Sequence, residues 1–379
     1  MAKEAAGRAR PGRAPAPDGR RARPRQAEVA RLAGVSQATV SLVLSGRDIA
    51  TGRPISSETR RKVLDAAHSL GYVPDPAASR LAAARNNLLG VFSFTATFPT
   101  DVRHSYYPFL VGVEQEAAAQ GYDLVLFTGS SSGGAGATHG TGALNRVRLA
   151  DGCLFLGRHA PADGLRRLVA DDFPVVHVGR RDEPEGLAWV GADYVSASRE
   201  VVTALAGLGH RRVLLVREDD DAPASTDRER GFLDGLASNG LPTGASASAG
   251  AGPGSGAVFR SGDPRGELTA DRVRAWLADG FTAFVAEETD TGAAWRALRA
   301  AVDEAGLDCP GQVSLALLGS PPADLADQPA PMGFDIPRPA LGAEAVRLLA
   351  ARIAGGPAVG TLVACAFRPG ATAGPPATP

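Results

Sequence analysis

QAEVARLAGVSQATVSLVLSG, residues 26–46, is the stretch from which the rest of the chain is read. Val29, Ala30 and Leu32 give its first half the apolar side of a short helix. Gly34 follows where the chain must turn sharply, and glycine adopts the left-handed dihedrals that such a turn requires. Ser36 is placed to cap a second helix. On that helix Gln37, Ala38, Ser41, Leu42 and Ser45 share one arc of roughly 140°, with Val40, Val43 and Leu44 opposite. The outer arc is small, polar and nearly uncharged. It suits a helix whose amides and hydroxyls meet base edges and phosphates in a DNA groove. Ser56 can cap a third helix with Val63, Leu64, Ala67 and Leu70 turned inward. An ordinary three-helix bundle has the same spacing, so the pattern by itself leaves both readings open.

Charge around this stretch is polarised. Of the 40 Lys and Arg, 16 fall within residues 1–85, beside 7 Asp and Glu; the remainder holds 24 against 34. A basic head on an acidic body points to a polyanionic partner for the head alone. Residues 1–24 are mostly Ala, Gly, Pro and Arg, too poor in apolar side chains to repay ordering, and are expected to be disordered. The connection GRDIATGRPI (46–55) carries Arg47 and Arg53, placed near phosphate if the second helix lies in a groove. Downstream, YVPDPAASRLAAARNN (72–87) offers one marginal helical turn over Pro76–Ala82, with Pro76 at its first position. Leu81 there either packs on a neighbour or wedges between base steps.

From Leu88 short apolar runs alternate with helical stretches. LLGVFSF (88–94), DLVLFT (123–128), GCLFLG (152–157), PVVHVG (174–179) and RVLLVRE (212–218) are predicted strands, as are VFRSG (258–262), TAFVAE (282–287), SLALLG (314–319) and TLVACAF (361–367). Helices are predicted over 109–120, 196–208, 227–238, 267–279, 289–305 and 339–354. Continuously apolar strands alternating with helices imply parallel sheets covered on both faces. About nine strands divide better into two doubly wound subdomains than one. The low-complexity stretches 129–142 and 242–256 read as loops.

No apolar run reaches membrane-spanning length, and no apolar stretch backs the basic N-terminus as a secretory signal would require, so a cytoplasmic location is expected. Cys153, Cys309 and Cys365 have neither disulfide-framework nor zinc spacing. The six histidines show no metal-ligand spacing, and no nucleophile elbow, P-loop or HExxH motif occurs. No enzyme, cofactor or metal is therefore expected.

The ordered set of EVARLAGVSQATVSLVLSG, ISSETRRKVLDAAHSLGYVPDPAASRL, YYPFLVGVEQEAAAQGYDLVLF, FPVVHVGRR, VGADY, ALAGLGHRRVLLV, DRERGFLDGL and DIPRPALGAEAVRLLAARI resembles the lactose/galactose repressor (LacI/GalR) family of bacterial transcription regulators, from Arg25 to about Pro376. The resemblance implies an all-α helix-turn-helix head (25–73) after the tail (1–24), a hinge helix and linker (74–87), and an α/β body (88–379) like a periplasmic binding protein. In that body it implies an N-subdomain of about 88–206 plus 318–335 and a C-subdomain of about 207–317 plus 336–379. It further implies a homodimer on a pseudo-palindromic double-stranded DNA operator, and a small-molecule effector, sugar-like or related, between the subdomains.

Carried over by residue, Gln37, Ala38 and Leu42 stand where bases are read, Ser36, Thr39 and Ser41 near phosphate, and Leu81 as the hinge wedge. Many relatives carry Arg where Leu42 stands; leucine makes no bidentate contact to guanine but can touch a thymine methyl. Arg228 matches the family's effector-gripping arginine, Asp193 an acidic cleft position, and Tyr107 and Phe109 an aromatic edge. Glu287 and Glu288 replace an Asn-Asp pair, and Gly319 and Ser320 replace paired acids, leaving the cleft one acid short. A ligand-controlled repressor is the leading expectation. The alternative is a small-solute-binding protein of the same fold with a decayed or effector-independent DNA role.

Overall fold

The computed structural model describes residues 24–45, 55–73, 86–93, 106–127, 144–158, 162–243, 257–289, 292–322 and 329–377. Arg47, the hinge turn with Leu81, almost all of the N-terminal tail and most of the two low-complexity stretches lie outside them. The chain divides into two units, residues 1–86 and 87–379.

The head unit contains α1 (Gln26–Ala33), α2 (Gln37–Ser45) and α3 (Ser57–Leu70). Gly34 closes α1 in the left-handed region at φ 67°. Ser36 Oγ accepts from Thr39 N at 3.1 Å, and Ser56 Oγ accepts from Thr59 N at 3.1 Å, so both helix starts have the caps expected of them. The small core is Val29, Ala30, Val40, Val43, Val63, Ala66 and Ala67. Two inward assignments fail: Leu32 is 58% and Leu64 48% exposed. Each lies at the edge of its helix's apolar arc, where the position behind it, Val29 or Val63, already fills the narrow core.

The body unit is built on two six-stranded sheets. In the first, β1 (Leu88–Ser93), β2 (Asp123–Phe127), β3 (Gly152–Leu156), β4 (Val175–Val178), β5 (Ala188–Ala192) and β11 (Gly360–Val363) lie in the order β11-β5-β4-β3-β1-β2, all parallel. In the second, β6 (Val213–Glu218), β7 (Val258–Ser261), β8 (Ala283–Glu287), β9 (Ser314–Leu318), β10 (Met332–Asp335) and β12 (Ala366–Arg368) lie in the order β12-β10-β9-β8-β6-β7. Only the β10–β12 pairing is antiparallel.

Side chains on successive strand residues enter opposite layers, as the pleat requires. On β3, Leu154 and Leu156 join the apolar cluster that runs through both subdomains, whereas Cys153 and Phe155 join one beneath α5 (Ala162–Ala170). Burial of each such Leu or Phe contributes about 2 kcal/mol. In the first subdomain α4 (Tyr107–Ala119) packs on α10 (Arg338–Ile353). In the second α6 (Tyr194–Gly207) packs on α7 (Pro223–Ser238), while α8 (Ala270–Ala278) and α9 (Ala293–Glu304) cover the far face. Both helix pairs meet through glycine. A Cβ on Gly112 would lie 1.9 Å from Pro339 O, and one on Gly231 would lie 2.3 Å from Val195 O.

The subdomain boundaries differ from those expected. β9 and β10 belong to the second sheet, so 318–335 is not part of the N-subdomain. α10 packs on β3, β4 and β5, and β11 pairs with β5, so 338–363 lies with the first sheet, not with the C-subdomain. α6 packs on β9, β10 and β12, moving the first crossing back to residues 192–194. Apolar periodicity cannot report which sheet a strand joins. TLVACAF reads as one strand, yet it breaks at Ala364–Cys365 and its halves enter different sheets. AWVGA (188–192) and MGFD (332–335) were not predicted as strands, being short and interrupted by Gly or Ala.

Candidate functional site

On the head, Ser36, Gln37, Ala38 and Ser41 are exposed, Thr39 and Leu42 half-buried, and Val40 and Val43 buried. The Ser36 hydroxyl bonds Thr39 Oγ1 at 2.9 Å as well as the Thr39 amide. The start of α2 thus presents hydroxyls and an amide on a rigid, capped turn. This is a surface able to meet phosphate and base edges together.

In the body, a cavity of about 120 Å³ opens where β3, β4, β5, β6 and β8 end, with the first turns of α4, α7 and α10 around it. Strand ends in open α/β sheets are where ligands bind, because backbone and loop groups converge there without paired neighbours. Five arginines line this cleft: Arg158, Arg180, Arg181, Arg228 and Arg338. Arg158 donates to Asp220 Oδ2 at 2.6 Å and Ser225 Oγ at 3.1 Å. Arg180 Nε donates to Asp227 Oδ2 at 2.6 Å, and Arg338 pairs with Glu288. Each of these three bonds joins an arginine of the first subdomain to an acid of the second, so ion pairs span the cleft.

Arg228 is buried in the wall. Its Nε donates to Leu318 O at 2.8 Å, Nη1 to Ala224 O at 3.2 Å and Nη2 to Glu288 Oε2 at 3.1 Å, and its guanidinium lies 3.8 Å from the Tyr194 ring centre. Burial alone would depress this arginine, but Tyr194, Glu288 and Glu287 outweigh it and hold the charge firmly in place. Burial raises the Glu287 carboxyl above its ordinary value despite Arg228. His177 is fully buried, bonded through Nδ1 to Gly179 O at 2.9 Å, and burial lowers it to about 3, so it is neutral at physiological pH.

Of the expected cleft residues, Phe109, Arg228 and Glu288 line the cavity. Tyr107 does not: it is 49% exposed, and its neighbour Tyr106 takes the place in the wall. A one-residue helical step turns a side chain to another face, and the doublet in YYPF does not say which ring faces in. Asp193 is the N-cap of α6, accepting from Ser196 N at 3.0 Å, and is not in the cavity wall. Arg158, Arg180, Arg181, Asp227 and Arg338 also line the cavity, beyond the residues expected there. The arginines at 158, 180 and 181 follow the glycines that end β3 and β4, so the strand-end rule was the signal for them. Gly319 bears on the expected shortage of an acid only through space. Gly319 has φ 149°, and a Cβ there would lie 2.5 Å from Glu288 Cβ, so Glu288 fills the space a side chain at 319 would take.

Residues 27–75 match the bacterial regulatory proteins of the lacI family. Residues 96–247 match the periplasmic binding proteins and sugar binding domain of the LacI family, and 202–369 the periplasmic binding protein-like domain. The head thus matches a lacI-family model, and the body matches periplasmic-binding-protein-like models.

Among its relatives, the chain is 30% identical to the HTH-type transcriptional regulator CelR of Thermobifida fusca over 225 residues, 59% of this chain and 64% of CelR. It is 37% identical over 229 residues to an HTH-type transcriptional regulator in the aml 5'region of Streptomyces limosus, 59% of this chain and 61% of that protein. The matched segment thus spans about three fifths of the length of these relatives. The fold extends further: a CelR–cellobiose complex superposes with a TM-score of 0.58 at 24% identity, over 92% of this chain and all of that one. A lac repressor dimer bound to operator and the anti-inducer ONPF gives 0.69 at 18% identity, over 93% of this chain and 99% of that one.

Proposed function

We propose that the protein is a sequence-specific DNA-binding transcriptional regulator whose operator affinity is set by a small molecule in the cleft between its subdomains. The observation that carries this reading is the pairing, in one chain, of an exposed, capped α2 surface with a cleft whose walls are joined by ion pairs. The head acts as half of a two-fold pair, with the α2 of each protomer in successive major grooves of a pseudo-palindromic operator. Gln37 and Ala38 meet base edges, Leu42 an apolar base feature, and Ser36, Thr39 and Ser41 phosphates. Arg47 and Leu81, outside the described residues, are proposed as further DNA contacts.

The switch acts through the cleft. Arg158–Asp220, Arg180–Asp227 and Arg338–Glu288 hold the two subdomains in one relative position. A ligand that binds one position better than the other shifts the balance between them, and can do so only by that difference in affinity. The bound CelR structure supports a sugar or related metabolite as the starting class. Selection of bound duplexes from a random pool by the full-length protein tests the DNA role. An inverted repeat is expected, with Gln37→Ala relaxing preference at one position per half-site. Recovery of unrelated sequences at matched salt would refute it.

A further inference from the structure

The acceptors and donors of the cleft are unevenly spent. Both carboxylate oxygens of Glu288 are engaged, by Arg228 and Arg338, and both of Asp227, by Arg180 and Arg230. Asp220 is bonded by Arg158 and by the Ala222 amide. Among the described residues, the carboxylates of Glu288 and Asp227 in the wall are thus already charge-paired. The donors are not exhausted. Arg181 lines the cavity but has no carboxylate within 4.0 Å among the described residues, in contrast to the four other arginines there. Its Nη2 donates only to the backbone carbonyls of Gly157 and Arg158, at 2.7 and 2.5 Å. Its Nε is buried with no acceptor, and so is the Nε of the adjoining Arg158.

A guanidinium left with a full charge and an unused buried N–H at a cavity wall is stabilised most by an anion, because charge-assisted bonds are about twice as strong as neutral ones. Hydroxyls would satisfy the N–H groups but leave the charge uncompensated. Neutral His177 adds no second cation to the site.

We infer that the cleft ligand carries a carboxylate or phosphate, held by Arg181 and Arg158, on a polyhydroxylated frame: a sugar acid or sugar phosphate rather than a neutral sugar. This assignment rests on the proposed effector role of the cleft. It departs from the neutral disaccharide of the CelR complex, as an unpaired cation in the wall would require.

The test is calorimetric titration and thermal shift of the full-length protein. The probes are glucose, cellobiose and ribose, each beside its aldonic acid and its terminal phosphate, with sodium phosphate and sodium chloride at equal ionic strength as bare-ion controls. At least one anionic member is expected to bind ten- to a hundredfold tighter than its neutral parent, the scale of one charge-assisted bond. Arg181→Gln should abolish that difference and Arg181→Lys keep part of it. The unliganded melting temperature of Arg181→Gln should equal or exceed the wild type's, since an uncompensated charge is removed; a merely structural arginine would lower it. Binding of a neutral sugar as tight as its acid, unchanged by Arg181→Gln, overturns the anion assignment and leaves the effector cleft standing. Silence across the set, from protein that still binds its operator, overturns both.

Discussion

At the residue scale, the cleft shows how one side chain can be a recognisable family feature and still be spent on architecture. Arg228 was identifiable from DRERGF, yet all three of its nitrogens are bonded within the protein. Arg228→Ala would remove the cation beside buried Glu287 and leave Glu288 with Arg338 alone, so a loss of about 3–5 kcal/mol of stability is expected by chemical denaturation. The substitution is thus a poor control for ligand binding, whereas Asp227→Asn removes one cross-cleft pair and keeps the side-chain shape. His177 gives a pH signature. Its folded value of about 3 lies below the ordinary 6.5, so below pH 6.5 the unfolded chain takes up a proton that the folded one refuses. Stability should be fully present above pH 6.5 and fall as pH drops toward 3. His210, lowered by burial, adds to the same trend. The melting temperature of His177→Gln should decline less steeply from pH 7 to pH 5; an equal slope would remove His177 as the source. Sequence reading stopped short at this scale. Phe109, Arg228 and Glu288 were found from their motifs, but which ring of YYPF faces the cavity depends on helix phase. Whether Asp193 caps or binds depends on φ and ψ that no motif records.

At the element scale, helix starts and strand cores were legible because they are local. Ser36 and Ser56 cap as their positions imply, and most of the apolar runs became buried strands, whereas DLVLF and the two halves of TLVACAF stay partly exposed. Replacement of Ser56 by Ala should cost the head about 1 kcal/mol, read as lower helicity in the first melting transition. Sheet membership was not legible, since only long-range pairing assigns β9 to one sheet and β11 to the other. The close contact of α4 with α10 was also hidden. Gly112 reads as an ordinary helical glycine until Pro339 O is found where its Cβ would be. Gly112→Ala should destabilise the body by about 1–3 kcal/mol, with Gly231→Ala doing the same in the second subdomain. An unchanged denaturation midpoint would mean that the helices separate at little cost.

At the scale of the whole molecule, the chain joins a basic head to an acidic body whose halves are connected by crossings near residues 192–194, 335–338 and 363–366. A ligand or a mutation in the cleft acts on the relative position of the halves, and the proposed regulation requires that this position bias the head's fit to DNA. The direct measurement is fluorescence anisotropy of a labelled inverted-repeat operator titrated with wild-type protein and with Asp227→Asn/Glu288→Gln, at several salt concentrations. The variant, lacking two of the three cross-cleft pairs, should bind with an affinity changed by about fivefold or more. Its salt dependence should be unchanged, because the proposed phosphate contacts belong to the head. Identical affinities for the two proteins, both folded and both specific for the operator, would contradict control of the head by the cleft.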